Sequence, residues 1–226
     1  MQSEISGNQA TRWAGKISII NGLGFITALL IDIFIASKFG LGQTTDALLI
    51  ALTFPQLLIT IFLVAVNVAF VPFFTKTTIE QNIEIQWILT SNLINFAWII
   101  FLPLSLVGYW ASPTIVTIIG AGLDPLTKNL AIDLSRIVFL MVIPVGATEI
   151  MKATLNSLNR FTYPAATPLL KNLTVLLAII LTPSPSIRLI AVFYVISSFV
   201  PLLFLTSALV NIGYKYQFKL YLNDQF

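Results

Sequence analysis

Long apolar segments separated by short polar ones dominate the pattern of residues along this chain. The clearest apolar segment lies between Asp46 and Lys76, and no charged residue occurs between those two. A helix needs about 20 mainly apolar residues to cross a hydrocarbon core of roughly 30 Å, and this segment is long enough. Polar or helix-bending residues interrupt it, among them Pro55, Gln56 and Pro72. We therefore expect a membrane helix with one face on lipid and the other on protein or water.

Further segments repeat this pattern, so the sequence predicts six membrane-spanning helices. They cover residues 16–38, 46–76, 85–110, 130–155, 164–181 and 187–214. Residues 111–128 are expected to form a longer connection that contains a short interfacial helix at 115–119. Tails at 1–15 and 215–226 are expected to flank a six-helix unit that spans 16–214. The predicted fold class is all-α, a polytopic membrane protein.

Composition supports a membrane protein and excludes several kinds of chemistry. Hydrophobic residues make up 57% of the 226 residues and charged residues only 9%, whereas a soluble domain carries about 25% charged residues. The chain has no His and no Cys, which excludes Cys-His and Ser-His-Asp catalysis and zinc sites built on those ligands. No acid–base or metal-binding pattern stands out, so we expect neither an enzyme nor a cofactor.

The net charge of +3 is small, and the basic residues occur mainly in the short segments between the predicted helices. This distribution indicates membrane topology and gives no reason to expect a nucleic-acid partner. Six spans place both chain ends on one side, with Arg12, Lys16, Lys76, Arg160, Lys215 and Lys219, whereas Lys38, Lys128 and Arg188 fall on the other. Because basic residues favour the cytoplasmic side, both termini are predicted to be cytoplasmic.

Two stretches of the chain resemble a known family. Residues 39–58 read FGLGQTTDALLIALTFPQLL and are continued by AFVPFF at 69–74, and residues 155–172 read LNSLNRFTYPAATPLLKN. In combination these stretches resemble the MurJ/MviN family of lipid II flippases. The AGLDP turn at 121–125 is also similar to a loop of that family. The resemblance covers roughly residues 17–210 and implies a fold like one six-helix lobe of a MurJ-type flippase.

The resemblance also implies a function and a location. Members of this family move an undecaprenyl-diphosphate-linked precursor of the cell wall from the cytoplasmic to the outer leaflet. The implied protein is therefore a multi-pass protein of the bacterial inner membrane, with membrane lipid and a lipid-linked oligosaccharide as partners. Family members are longer and contain two such lobes, so a second lobe or a homo-oligomer is a further implied partner.

The chain departs from the family's pattern in the first two helices. Where lipid II flippases carry arginines, this chain has apolar residues such as Phe25, Ile31 and Ile59. A flippase for another lipid-linked glycan, or an exporter of a small molecule, is therefore an alternative. A non-transporting membrane scaffold or an inactive fragment is an alternative of another class.

Charged residues inside the predicted helices are the candidates for function. Asp32 lies well inside the first span, where a carboxylate costs about 2.5–3.5 kcal/mol on insertion scales. It is either a cavity-facing group that binds a coupling cation or proton, or half of a structural ion pair with another span. Glu149 is the second candidate for a cavity or coupling role, although its spacing from Lys152 also allows a local ion pair. Asp133 and Arg136 have the same spacing and the same local interpretation.

Lys152, Arg160 and Lys171 form the candidate substrate site. The resemblance places Arg160 in the RF sequence of the family, and the three cations are expected to form a basic entrance for a diphosphate on the cytoplasmic side. The alternative for Arg160 is that it only marks a cytoplasmic loop.

Other positions are expected to shape the helices. Asp46 is predicted to cap the second helix, and prolines inside spans are expected to bend them. The full set of structural positions is Gly40, Gly42, Asp46, Pro55, Pro72, Asn156, Pro164, Pro168 and Asn172.

Overall fold

The computed structural model describes residues 7–79 and 83–218, with the backbone only at 7–12, 66–67 and 69–79. Pro72, which the sequence singles out, therefore lies outside the described side chains, as do the topology residues Arg12 and Lys76. Residues 1–6 and 219–226 of the predicted tails lie outside the described residues altogether.

α-Helices and one 3-10 turn make up nearly all of the described chain. They are α1 (Gly7–Phe39), α2 (Gln43–Ile79), α3 (Ile83–Ile119), α4 (Pro125–Val138), the 3-10 turn (Phe139–Met141), α5 (Val142–Ser157), α6 (Thr162–Leu181) and α7 (Ile187–Asn211). Because α4 and α5 continue one another across the turn, six helical segments are long and apolar enough to cross a membrane. The predicted all-α fold with six spans is confirmed, and no strand occurs in residues 7–79 or 83–218.

A glycine ends α1 and sets the sharp reversal into α2. Gly40 has a φ of +75°, the left-handed conformation that commonly follows a helix and that glycine adopts most readily. Its N–H donates to Ala36 O at 2.9 Å. α2 begins at Gln43, directly after Gly42, so Asp46 is the fourth residue of the helix and its predicted capping role is wrong. The Asp46 carboxylate is still in the first turn, where negative charge interacts favourably with the helix dipole.

α3 continues through much of the region that was expected to be a connection. The predicted connection over 111–128 is too long, because α3 extends without interruption to Ile119 and α4 begins at Pro125, which leaves only residues 120–124 outside a helix. Pro113 lies inside this helix and removes only one backbone donor. Ser112 Oγ donates to Gly108 O at 2.8 Å. A helix keeps its backbone polar groups paired internally, which a membrane requires and which an open loop cannot do.

The fourth span is interrupted near its middle by the 3-10 turn at Phe139–Met141. Pro144 follows this turn and lacks the N–H that would otherwise donate to Leu140 O. Ser105 Oγ of α3 donates to Phe139 O at 3.0 Å. This hydrogen bond ties the interruption to the neighbouring helix.

Two glycines allow α3 and the fourth span to approach closely. The Phe139 ring lies so near Gly108 of α3 that a Cβ on that glycine would be 2.1 Å from the ring. Phe101 of α3 lies in the same way over Gly146 of α5, where a Cβ would be 2.5 Å from the ring. Both phenylalanines are almost completely buried, so neither ring has free space into which it can move.

α1 packs chiefly on α6, and only sparsely on α2, its neighbour in sequence. Asn172 Nδ2 of α6 donates to Gly24 O of α1 at 3.0 Å. A Cβ on Gly24 would lie 3.6 Å from the backbone nitrogen of Leu169, so the two helices are in close contact there. The sparse packing between α1 and α2 leaves an open cavity between them.

The N-terminus of α4 is capped by Asp124, whose Oδ2 accepts the Thr127 hydroxyl at 2.5 Å and whose Oδ1 accepts the N–H groups of Thr127 and Leu126. These hydrogen bonds hold the pKa of the Asp124 carboxyl below its ordinary value of 3.8. The hydrogen bond from the Thr127 hydroxyl has the largest effect. Because the folded-state pKa is lowered, the stabilisation is present above the unfolded value and is lost as the pH falls through the folded pKa.

We therefore expect Asp124→Ala to lower the melting temperature at pH 7 and to have a smaller effect at an acid pH below the lowered pKa of the Asp124 carboxyl. Melting curves of the purified protein at both pH values measure the effect. Asp46→Ala is the control, because Asp46 lies in a first helical turn but is not the cap. An equal loss from Asp124→Ala at both pH values contradicts a charge-dependent cap.

Candidate functional site

A cluster of three charged side chains lies between α5 and α6. Lys152 Nζ donates to Glu149 Oε1 at 2.7 Å, and the two side chains are 22% and 8% exposed. Lys171 of α6 is half-buried and lies within the range at which its charge interacts with both. The cluster therefore contains two cations and one anion, a surplus of one positive charge.

The helical spacing and the crossing of α5 and α6 bring this cluster together. Glu149 and Lys152 lie on one face of α5, because residues three apart on a helix are neighbours. Lys171 directly precedes Asn172, whose hydrogen bond to Gly24 O holds this part of α6 on α1. Lys152 and Lys171, which were predicted to belong to one site, thus lie close together. Glu149 and Lys152 form the ion pair that their spacing of three residues allows.

Arg160 occupies a different position from the two lysines. It lies in the turn between α5 and α6, where its N–H donates to Leu155 O at 2.8 Å, and its side chain is exposed. It lines a separate small cavity of about 160 Å³ together with Trp87, Leu158 and other apolar residues. Arg160 is therefore located at the surface beyond the cluster, eight residues after Lys152.

Asp32 lies in another part of the molecule from Glu149. It lines a cavity of about 590 Å³ between α1, α2 and α7. Tyr194 of α7 lines the same cavity and is close enough to interact with the Asp32 charge. The two carboxylates predicted for a cavity or coupling role therefore do not share a site.

Asp133 has a partner that the sequence spacing did not indicate. Its Oδ2 accepts a hydrogen bond from Arg188 Nη2 of α7 at 2.8 Å, whereas Arg136 Nη1 is 4.0 Å from Oδ1. The Arg136 guanidinium lies over the Tyr109 ring at 5.7 Å from its centroid. Because Arg188 is 55 residues away in sequence, no local pattern could have revealed this bridge between spans.

The structural positions of α5, α6 and their connection have visible roles. Asn156 O accepts the N–H of Asn159, which has a positive φ of 57° and turns the chain out of α5. Pro168 inside α6 lacks the N–H that would donate to Pro164 O, and Thr167 Oγ1 donates to that carbonyl instead, at 2.8 Å. The carbonyl that the proline leaves without a backbone donor is therefore satisfied. Elsewhere, Pro55 is buried within α2.

A hydrogen-bonded segment after α7 was not anticipated from the sequence. Tyr214 Oη and Ser91 Oγ of α3 are 2.9 Å apart, and the Gln217 N–H donates to the same Ser91 Oγ at 3.1 Å. Asn95 Nδ2 donates to Gln217 O, and Tyr216 Oη donates to Asn95 Oδ1. Residues 214–217 therefore lie along α3. Burial raises the pKa of the Tyr214 hydroxyl above its ordinary value of 10.0.

Six apolar spans among the described residues define the class of this chain as a polytopic membrane protein. A family model described as "Lipid II flippase MurJ" matches residues 35–225. The chain therefore belongs to the MurJ family, as its sequence resemblance indicated, and is a multi-pass protein of the bacterial inner membrane.

Individual relatives agree with this assignment. The lipid II flippase MurJ of Thermosipho africanus is 29% identical over 204 residues, which is 90% of this chain and 42% of that protein. The probable lipid II flippase MurJ of Buchnera aphidicola subsp. Acyrthosiphon pisum is 29% identical over 88% of this chain and 40% of that protein. The chain thus spans about two fifths of the length of these curated relatives.

A solved structure gives the same result for the fold. The chain matches "Lipid II flippase MurJ, inward closed conformation" with a TM-score of 0.74 and 28% sequence identity. The match covers 90% of this chain and 43% of that structure. The predicted likeness to one lobe of a MurJ-type flippase is confirmed.

Proposed function

We propose that this chain is the N-terminal lobe of a protein that translocates a lipid II-like, undecaprenyl-diphosphate-linked peptidoglycan precursor across the inner membrane. The observation that carries the proposal is the surplus positive charge of the Glu149–Lys152–Lys171 cluster inside the spanning segments. Flipping a diphosphate-linked headgroup requires cations along its path and breaks no bond. The protein is accordingly a transporter and not an enzyme.

Within the cluster, the two lysines have different roles. The 2.7 Å ion pair fixes Lys152 against Glu149 and neutralises most of its charge. Lys171 has no salt bridge among the described residues, and its ammonium group is the one that donates to a phosphate oxygen. A lysine is a compact point charge with three donors, which suits a headgroup that must be released again.

The orientation follows from the positions of the remaining cations. The segments before residue 16 and after residue 214 are assigned to the cytoplasmic side, and residues 16–214 to the membrane lobe. The turn that holds Arg160 then also lies on the cytoplasmic side, where this arginine is the first contact for the incoming diphosphate. The positive-inside rule supports this arrangement.

A second unit completes the path. The matched relatives are more than twice as long as the matched segment, and one six-helix lobe does not enclose a cleft by itself. We propose that a second lobe, or a second copy of this chain, faces the open side of α1 and α2.

One observation favours a different substrate. At the positions where resembling flippases carry arginine, Phe25 is 66% exposed on α1, whereas Ile31 is only 3% exposed and packs in the core. Because these positions hold no arginine, this chain has fewer cations there than the flippases it resembles. This difference favours another lipid-linked glycan or a small exported molecule as the alternative substrate. Undisturbed flipping after Asp32→Ala, Lys152→Ala and Arg160→Ala supports the remaining alternative, a scaffold that does not transport.

We expect Lys171→Gln to lower the rate of lipid II flipping by about 10- to 100-fold, because hydrogen bonds to charged groups contribute about 1.5–3 kcal/mol. Lys171→Arg keeps the charge and retains most of the rate. The measurement is translocation of labelled lipid II in proteoliposomes that contain the whole protein to which this chain belongs.

Lys16→Gln is the control for Lys171→Gln, because Lys16 is exposed near the start of the first span. A drop for Lys171→Gln alone supports the proposed site. Equal rates in all three variants and the unsubstituted protein contradict it.

A further inference from the structure

A group of three charged side chains near one end of the fourth span faces outward from the lobe. It consists of Asp133 and Arg136 of α4 and Arg188 of α7, and each side chain is at least 40% exposed. The opposite face of α4, which includes Ala131 and Leu134, is buried in the core against α2. Because α2 covers this buried face and α1 packs chiefly on α6, the charged group lies away from the open side of α1 and α2 that the second lobe is proposed to face.

The level of this group within the membrane follows from where the spans end. Arg188 is the second residue of α7, and the Arg136 guanidinium lies over the ring of Tyr109 at 5.7 Å from its centroid. Tyr109 packs edge-to-face against Trp110, the last residue of the third span predicted from the sequence (85–110), and Trp110 is 78% exposed. Tyrosine and tryptophan are enriched at membrane–water interfaces. The charged group therefore lies at the level of the lipid headgroups.

The charges within the group do not balance, and one cation makes no hydrogen bond. Asp133 Oδ2 accepts a hydrogen bond from Arg188 Nη2 at 2.8 Å, whereas Arg136 Nη1 is 4.0 Å from Asp133 Oδ1, which is too long for a hydrogen bond. Within residues 7–79 and 83–218 Arg136 donates no hydrogen bond, and its buried Nε has no partner there. A guanidinium group has five N–H donors, so Arg136 offers both positive charge and donors to an anion.

Apolar side chains continue the same surface toward the centre of the membrane. Leu140 lies one turn after Arg136 on the exposed face of α4, and Leu106 and Val107 of α3 are also exposed. The surface is therefore cationic at the level of the headgroups and aliphatic further inside. An anionic phospholipid has the complementary arrangement, with a phosphate group at one end of its acyl chains. A small soluble anion would leave the aliphatic part uncovered.

We propose that Arg136 and Arg188 form a binding site for the phosphate group of an anionic phospholipid whose acyl chains lie along Leu140 and α3. Under the orientation proposed above, this lipid belongs to the outer leaflet. The inference does not depend on the diphosphate site, because the Glu149–Lys152–Lys171 cluster lies between α5 and α6. Failure of either proposal leaves the other unaffected.

Trp110 provides a fluorescent reporter beside the site. The whole protein to which this chain belongs is reconstituted into bilayers of phosphatidylcholine and phosphatidylglycerol, and in each sample one of the two lipids is brominated near the glycerol end of its chains. Bromine quenches tryptophan fluorescence at short range, so the quenching reports which lipid lies next to the indole. The difference between the protein and its Trp110→Phe variant isolates the signal of Trp110, and phenylalanine is tolerated there because the side chain is exposed.

We expect phosphatidylglycerol to be preferred over phosphatidylcholine at Trp110 by about fivefold, and Arg136→Gln to remove this preference, because one basic residue near a membrane surface contributes about that factor. Arg136→Lys keeps the charge and most of the preference. Asp133→Asn removes the anion of the group and is expected to raise the preference, which a misfolded variant would not do.

Lys38→Gln is the matched control. Lys38 lies at the same end of the lobe, where its Nζ donates to Thr182 O at 3.4 Å, but it belongs to α1. The substitution removes the same charge without touching the site and is expected to leave the preference unchanged. An equal loss from Lys38→Gln and Arg136→Gln overturns the proposal, because the preference would then come from the general surface potential. Equal quenching by the two lipids in the unsubstituted protein, or a preference that survives Arg136→Gln, also overturns it.

Discussion

Glu149→Ala is expected to lower the free energy of unfolding by about 3–5 kcal/mol, because removing one partner leaves an uncompensated charge in a poorly solvated place. Glu149 is 8% exposed and Lys152 is 22% exposed, and Lys171 adds a second positive charge nearby. With the carboxylate removed, two half-buried cations repel one another without a counter-ion. Denaturant-induced unfolding of the purified protein in detergent measures the loss.

Asp133→Ala is the matched control for Glu149→Ala. The Asp133–Arg188 pair has nearly the same length, 2.8 Å, but its side chains are 44% and 64% exposed. Exposed pairs contribute about 0–1 kcal/mol, so this variant is expected to unfold almost like the unsubstituted protein. Equal losses from the two substitutions contradict the argument from burial.

The double variant Glu149→Ala/Lys152→Met separates charge from packing. Replacing both members of a buried pair by apolar residues is often close to neutral. We therefore expect the double variant to recover most of the stability that Glu149→Ala loses. If it is as unstable as Glu149→Ala, the loss reflects packing of the Glu149 side chain and not the stranded charge of Lys152.

Gly108→Ala is expected to destabilise the protein by about 1–3 kcal/mol through overpacking. The added methyl group would lie 2.1 Å from the Phe139 ring, and Phe139 is 1% exposed, so the ring cannot move aside without displacing its neighbours. A shift of Phe139 away from the added methyl group would also strain the hydrogen bond from Ser105 Oγ to Phe139 O. The same unfolding measurement checks this expectation.

Gly22→Ala provides the control for Gly108→Ala. A Cβ on Gly22 of α1 meets nothing within 4 Å, so alanine there is expected to be neutral or to stabilise the helix by up to about 1 kcal/mol. Combining Gly108→Ala with Phe139→Leu makes room for the methyl group and is expected to recover part of the loss. No difference between Gly108→Ala and Gly22→Ala contradicts the close contact.

Charged side chains deep inside the spans of this apolar chain occur in two separate places. The α5–α6 cluster pairs Glu149 with Lys152 and includes Lys171 as a second cation, whereas Asp32 lines the cavity between α1, α2 and α7. Charged groups in spanning helices are costly and usually mark a function.

The local pattern was sufficient for the number of spans and for pairs on one helix. The length and polarity of each apolar segment set the six spans, because the bilayer thickness fixes how many residues a helix needs. The spacing of Glu149 and Lys152 predicted their ion pair, because neighbours on a helix surface are three or four residues apart. Gly40 and Gly42 marked the break between α1 and α2.

The same local reasoning failed where neighbouring helices or the membrane decide the outcome. The capping role of Asp46 was wrong because the helix begins earlier, at Gln43. The connection predicted over 111–128 was too long because a helix satisfies its own backbone groups inside a membrane, and α3 continues through Pro113 to Ile119. The bridge from Asp133 to Arg188 joins α4 to α7 and has no signature in either helix.

The sequence by itself therefore determined the class of protein, its six spans and its family, because these depend on periodicity, length and two specific stretches of residues. Only the tertiary structure decided that Lys171 joins Glu149 and Lys152 while Arg160 and Asp32 lie elsewhere. It also decided that Gly108 and Gly146 receive the rings of Phe139 and Phe101. These arrangements depend on which helix faces cross, and crossing is set by packing between segments distant in sequence.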